Sequence, residues 1–377
     1  MFQFSIEQQD TGSRARTGRI MTAHGEIETP VFMPVGTLGA VKALSNEDLR
    51  ALDASIILGN TYHLVTRPGL GALKKAGGLH RFMGWERPLL TDSGGYQVFS
   101  LKHNRKITED GVRFQSHVNG DTLMFTPESV MEAERVIGAD IIMAFDECAP
   151  FPCEKKEAAE AMGRTHRWLL RCVKNHAESG SLQALFGIIQ GSVYDDLRKE
   201  SADFVSQSGT PGIAIGGLSV GEPAADMYRI TELIASRVRR DCPLYLMGVG
   251  TPENIVEAVS RGVDMFDCVL PTRNARNGQV FTSLGRRHYK AGEYKEAFDR
   301  PLDPNCGCKV CKNHSLGYLR HLFNCGEITA LCLATYHNVH FYLTMMKEIR
   351  AAIRQDRFTA WKEGFLGRMA EGEKREP

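Results

Sequence analysis

The sequence predicts an α/β protein built as an eight-stranded barrel, and three observations carry that expectation. Eight short apolar runs each stop abruptly at a polar or glycine-rich turn. Between most of them lie stretches with apolar residues recurring at three and four, the spacing of an amphipathic helix. Polar groups stand where the runs stop: the acids Asp92, Asp146 and Asp267, together with Gln190, Gly217 and Met247. A doubly wound parallel sheet is the alternative arrangement for the same alternation.

In chain order, the runs are PVFMPVG near residue 33, SIILGNTYH near 57, PLLTDSGG near 90 and DIIMAFDE near 143. LFGIIQGS follows near 188, then GIAIGGLS near 215, LYLMGVGT near 246 and VDMFDCVLP near 266. Each is too short for a helix and ends in turn chemistry, which suits a strand buried on both faces. Helices are expected over 128–138, 155–176, 193–206, 226–239 and 252–261. Strand ends of a barrel share one face, the face on which such enzymes place their chemistry. One acid after an apolar run is an ordinary helix cap. Three such acids favour a site. Near the C-terminus, Tyr342, Met345, Met346, Ile349, Ala352 and Ile353 form a helical stripe, read as core packing or a subunit contact, and EGEKREP reads as a frayed tail.

The chain has 377 residues, 42% hydrophobic and 24% charged, the balance of a folded globular protein rather than a disordered or coiled-coil one. No apolar run approaches the ~20 residues of a membrane span. The N-terminal MFQFSIEQQDTGSRAR lacks the pattern of a signal peptide, so a cytoplasmic protein without a membrane partner is expected. Lys and Arg number 46 against 45 acids, but the charge is uneven. Residues 271–300 hold seven basic residues, among them Arg273, Arg276, Arg286 and Arg287, against three acids. A local patch of this kind suits a nucleic-acid partner.

Ten cysteines in such a chain are expected to be reduced thiols. Cys306, Cys308 and Cys311 cluster in CGCKVC, the spacing of a zinc knuckle. A fourth ligand is needed, and His314, His321, Cys325, Cys332, His337 and His340 are all available. His337 follows after a helix-length gap, as expected of an element folding back over the knuckle, and is taken as the fourth ligand. A closed set of four leaves no open position for water, so one structural Zn(II) per subunit is expected.

Together TDSGGYQVFS (91–100), FDECAP (145–150), FGIIQGSVY (186–194), AIGGLSVGEP (214–223), YLMGVG (245–250), MFDCVLPTRNARNG (265–278) and CGCKVC strongly resemble the bacterial tRNA-guanine transglycosylases. The likeness runs from about residue 10 to 365 in order. It implies a (β/α)8 TIM barrel with a C-terminal zinc-binding subdomain: a barrel with the exchange site over 1–300, the zinc subdomain over 301–340, and a helix completing the barrel, with a tail, over 341–377. It also implies a homodimer. The implied reaction exchanges guanine at the wobble position of tRNAs with GUN anticodons (Tyr, His, Asn, Asp) for 7-aminomethyl-7-deazaguanine, the prequeuosine base.

By the same resemblance, Asp267 is the nucleophile and Asp92 the general acid/base. Asp146 grips the polar edge of the base, Gln190 and the Gly217 N–H its carbonyl oxygen, and Tyr96 and Met247 its two faces. The Leu218 carbonyl meets the aminomethyl group, while Val220 and Cys148 keep the pocket in its narrower bacterial form. Arg273 and Arg276 are expected on the anticodon loop, with Arg286 and Arg287 reaching phosphates. Many bacterial relatives have lysine where this chain has Thr251, which puts one tRNA contact in doubt. A non-catalytic partner subunit of a queuine enzyme is the alternative, weakened by the presence of both Asp92 and Asp267.

Overall fold

The computed structural model describes residues 2–96, 105–116 and 120–373. Eight strands form one parallel sheet: β1 (Val31–Pro34), β2 (Ile57–Asn60), β3 (Leu89–Asp92), β4 (Ile141–Met143), β5 (Ala184–Ile189), β6 (Gly212–Ile215), β7 (Leu244–Leu246) and β8 (Met265–Cys268). Each pairs with its sequence neighbour, β8 pairs with β1, and a Val35–Leu58 bridge closes the ring between β1 and β2. All eight predicted strands are present, and the barrel is preferred over the open sheet because the two ends of the sheet meet.

Alternation along the strands divides the core in two. Val31, Met33, Leu58, Leu90, Ile141, Met143, Phe186, Ile188, Ala214, Tyr245 and Met265 point inward and form one buried cluster. Phe32, Ile57, Leu89, Ile142, Leu185, Ile213 and Phe266 point outward into the helical layer. The inner cluster also takes Ile20 and Ile27 from an antiparallel meander, Gln3–Gln9, Arg16–Thr22 and Gly25–Thr29, which plugs the N-terminal end of the barrel. That meander was not anticipated from the sequence.

The helices of the outer layer run over Pro127–Ile137, Lys155–Ser179, Asp195–Gln207, Ala224–Ala235 and Pro252–Ser260. The first starts with a capping box, in which Thr126 and Ser129 satisfy each other's backbone N–H, and stops at Gly138 in the left-handed conformation. The helix expected to reach residue 239 ends at Ala235, where the apolar spacing gives way to exposed arginines, Arg237 being drawn to Asp203. None of the described helices is long and apolar enough to cross a membrane.

At the N-terminal end Asp140, just ahead of β4, accepts from His24 Nδ1 at 2.8 Å and the Leu89 N–H at 3.0 Å. The His24 and His80 rings stack with centroids 3.6 Å apart. Burial disfavours the Asp140 carboxylate, but its imidazole partners outweigh that and hold it down at about 2. The brace ties the meander to the barrel floor, the end of such folds given to stability.

The C-terminal stripe lies on a 27-residue helix, Ile328–Arg354, continuous across residue 340. Its predicted residues Tyr342, Met345, Met346, Ile349, Ala352 and Ile353 are all buried. Tyr342 packs on Phe32 of β1 with ring centroids 4.8 Å apart, and Arg350 donates to the Pro30 carbonyl. This helix therefore covers the outside of β1.

Candidate active site

The C-terminal mouth of the barrel gathers the predicted acids. Asp92 is the last residue of β3, Asp267 lies in β8, and Asp146, Gln190, Gly217 and Met247 follow β4, β5, β6 and β7. In the ring order β3 and β8 stand three places apart, so Asp92 and Asp267 face one another across the mouth. Asp146, Gln190 and Gly217 occupy adjacent places on one arc between them.

Asp92 accepts from the Asn60 amide and from the backbone N–H groups of Thr61 at 2.9 Å and Gly94 at 3.2 Å. Behind it lies Glu134, fully buried, in contact with the Thr61 and Thr91 hydroxyls. Burial holds the Glu134 carboxyl well above the ordinary carboxylate range. Asp267 accepts from the Tyr245 hydroxyl and from the Gly248 N–H at 2.8 Å. Burial raises its carboxyl, and the charge of Asp92 raises it further, while the two donors oppose that.

Asp146 accepts from Ser93 Oγ at 3.0 Å and from Gln190 Nε2 at 2.7 Å. Burial pushes its carboxyl up to about 6, with repulsion from Asp92 and Glu147 adding to the shift. Gly95 passes so close that a Cβ there would stand 2.7 Å from Asp146 Oδ1. Gly217 has φ +63°, and a Cβ on it would stand 2.4 Å from Gln190 Oε1. Both glycines are therefore required by close approach. Gln190 Oε1 is buried without a hydrogen-bond partner among the described residues.

Around this centre, Leu218 is buried and Val220 half-buried, and the N–H groups of Ser219 and Val220 donate to the Glu222 carboxylate. Cys148 is half-buried, and burial pushes its thiol up to about 12, which keeps it neutral. Tyr96 is 58% exposed, at the end of a described segment, and Met247 is half-buried against the inner core.

Farther along the chain, the Cys306, Cys308, Cys311 and His337 side chains converge, their ligand atoms lying within 4.8 Å of one another. His337 Nδ1 is 3.6, 3.7 and 3.3 Å from the three sulfurs in that order. Zinc bonds of ~2.3 Å to sulfur and ~2.0 Å to nitrogen put tetrahedral edges near 3.5 Å, so the four fit a metal ion. His337 Nε2 faces the Phe281 carbonyl at 2.8 Å, which fixes the tautomer and leaves Nδ1 free to ligate. Of the other candidates, His340 also approaches Cys306 at 3.6 Å, while His314 stacks on Tyr318. A second group, His24, His80 and Asp140, is close enough for a metal, but His80 Nε2 sits 3.2 Å from the Arg87 carbonyl and serves there as a donor.

A family model described as queuine tRNA-ribosyltransferase matches residues 10–371. The chain belongs to this family. Relatives called queuine tRNA-ribosyltransferase include that of Caldanaerobacter subterraneus subsp. tengcongensis, 54% identical over 97% of this chain and 96% of the relative. Those of Ruminiclostridium cellulolyticum and Bacillus subtilis are 54% and 52% identical, over 93% and 97% of this chain and 94% and 95% of the relatives.

Within the queuine tRNA-ribosyltransferase family resemblance, the basic residues divide. Arg273 is exposed on the helix Leu270–Arg276, whereas Arg276 turns its Nε back to the Thr272 carbonyl at 2.9 Å. Arg286 and Arg287 lie in a hairpin strand, Gly285–Arg287, and Arg287 donates to the Leu302 carbonyl at 2.7 Å. Thr251 caps the helix Pro252–Ser260 by accepting from the Asn254 N–H. A lysine there has no side-chain oxygen to do this, so the departure from the usual residue has a local use. Sequence reasoning missed Tyr245, Glu134, Glu222 and Arg198. Tyr245 lies inside an apolar run, and the three charged residues stand in polar stretches of the sequence, so nothing local marks them.

Proposed function

We propose that this chain is a tRNA-guanine transglycosylase, a pentosyltransferase exchanging guanine at the wobble position of GUN-anticodon tRNAs for the prequeuosine base. The observation that carries the reading is the pair of carboxylates facing across the barrel mouth with a polar pocket on one arc between them. In this reading Asp267 attacks C1′ of the ribose as the bond to guanine N9 breaks. Asp92 supplies the proton to the leaving base, then takes the N9 proton of the incoming base, which attacks C1′ and releases Asp267. Two displacements retain the configuration at C1′. Tyr245 and Gly248 hold the Asp267 oxygen that does not attack.

Asp146, ionised, accepts two N–H groups from the polar edge of the base. Gln190 then turns its amide from Asp146 to the base carbonyl, beside the Gly217 N–H. Tyr96 and Met247 enclose the flipped base, and Leu218, Val220 and Cys148 set the width of the pocket. Arg273, Arg276, Arg286 and Arg287 serve the tRNA. Zinc at Cys306, Cys308, Cys311 and His337 is structural. The domain division at 300 and 340, the homodimer and a cytoplasmic site of action belong to the same reading. A non-catalytic partner subunit would have no use for both acids held by dedicated donors.

Incorporation of labelled guanine into a GUN-anticodon tRNA tests the function. Exchange blocked by the prequeuosine base, and far less by queuine, is expected; properly folded protein that exchanges nothing would reject the reading. The pocket also predicts a pH dependence. Because only ionised Asp146 can accept from the base, KM for the base should rise about tenfold per pH unit below about 6 and stay level above it. Asp146→Asn should have a high KM that no longer varies over that range. A wild-type KM that is flat from pH 8 to 5 would contradict the role of Asp146.

A further inference from the structure

We propose that Arg198 is a positioning residue of the base pocket, aiming and strengthening the Gly217 N–H through the Gly216–Gly217 peptide. The inference rests on the reading of the pocket given above. Arg198 lies in the helix Asp195–Gln207, is fully buried, and has no carboxylate ion-pair partner among the described residues. A buried cation without a counter-ion is tolerated only where its donors are matched. Here backbone carbonyls match them. Nε donates to Ser192 at 2.6 Å, Nη1 to Ile189 at 3.0 Å and Gly216 at 2.8 Å, and Nη2 to Gly217 at 3.0 Å.

All four carbonyls belong to the ends of β5 and β6 and bracket Gln190 and Gly217, the two groups assigned to the carbonyl oxygen of the base. In a trans peptide the C=O and N–H point opposite ways. With the Gly216 carbonyl turned to Arg198, the Gly217 N–H is turned away from the helix. A positive charge at one end of a peptide group polarises it and makes the N–H at the other end a stronger donor. The same helix braces the neighbouring strand end, since Ser201 Oγ receives the Gln190 N–H at 3.1 Å. Lysine cannot reproduce the arrangement, because it offers a point charge where a planar fork meets several carbonyls.

The test measures exchange at saturating tRNA with guanine and with 2-aminopurine, which lacks the carbonyl oxygen and the N1–H, as competitor. The N1–H contact to Asp146 is the same in wild type and in the Arg198 variants, so a change between them reads the carbonyl side. Wild type should prefer guanine by about 100-fold or more, since a site built for a polar group rejects an analogue without it. In Arg198→Lys and Arg198→Gln that preference should fall about tenfold, with KM for guanine raised and KM for tRNA within about twofold of wild type. Variants that fold, exchange and keep the full preference would overturn the proposal while leaving the function standing. Wild type that exchanges nothing would instead overturn the function. If neither variant folds, Arg198 is a core residue and the proposal falls.

Discussion

Asp267→Asn is expected to lower base exchange on the order of 10⁴-fold and to remove any covalent tRNA–protein adduct. The substitution is nearly isosteric, and an asparagine oxygen can still accept from the Tyr245 hydroxyl and the Gly248 N–H that hold the native carboxylate. Folding and tRNA binding should therefore persist, and the loss should fall on the first displacement. Denaturing gels of protein incubated with tRNA, run beside the guanine incorporation assay, separate these outcomes. Turnover within tenfold of wild type would remove Asp267 from the role of nucleophile and return attention to Asp92.

The second large effect concerns the metal. Cys308→Ser should lose zinc and lower the melting temperature of the chain by many degrees, because the free energy of a structural zinc site, ~10–16 kcal/mol in small domains, is expressed as folding. Cys308 is the buried cysteine of the set, and its sulfur also caps the short helix Lys309–Asn313 by accepting from the Cys311 N–H. The effect should spread beyond the knuckle. Asn338, next to His337, holds the Phe281 N–H and the carbonyls of Pro271 and Gln279, which belong to the segment leaving β8. Metal analysis together with thermal melts decides the matter. A variant with a full equivalent of zinc and unchanged melting would show that the cluster is not a metal site.

Much of this architecture was legible because its signals are local. An apolar run that ends in Asp92 or Asp267 is both a buried strand and a marked strand end, and the ring order then brings the marked ends together. What escaped was set by tertiary context. Arg198 stands in DDLRKE and Glu134 in MEAERV, both polar enough to pass for solvent-facing helix, yet each points inward to partners supplied by other elements. For the fourth partner of the cysteines six residues were available, and His337, chosen for its helix-length gap, is the one the long helix places against them. The N-terminal meander was missed because its first strand is almost wholly exposed and its second buries Arg16, Thr17 and Gly18 beside Ile20, so neither carries the apolar contrast that marks a strand.

The helix Ile328–Arg354 also has a consequence for how the molecule comes into being. It covers β1, so the first strand of the ring waits for nearly the last helix made. During synthesis Phe32 and its neighbours leave the ribosome some 300 residues before Tyr342, which packs on Phe32 in the finished chain. Contacts so distant in sequence form late and leave apolar surface open in the interval. His337 stands on that same helix, five residues before Tyr342, so capture of the metal and sealing of the barrel fall in the same late stage of assembly. On the zinc reading proposed above, a cell short of zinc would accumulate chains with an unsealed first strand, exposed to chaperones and proteases and unable to act on tRNA.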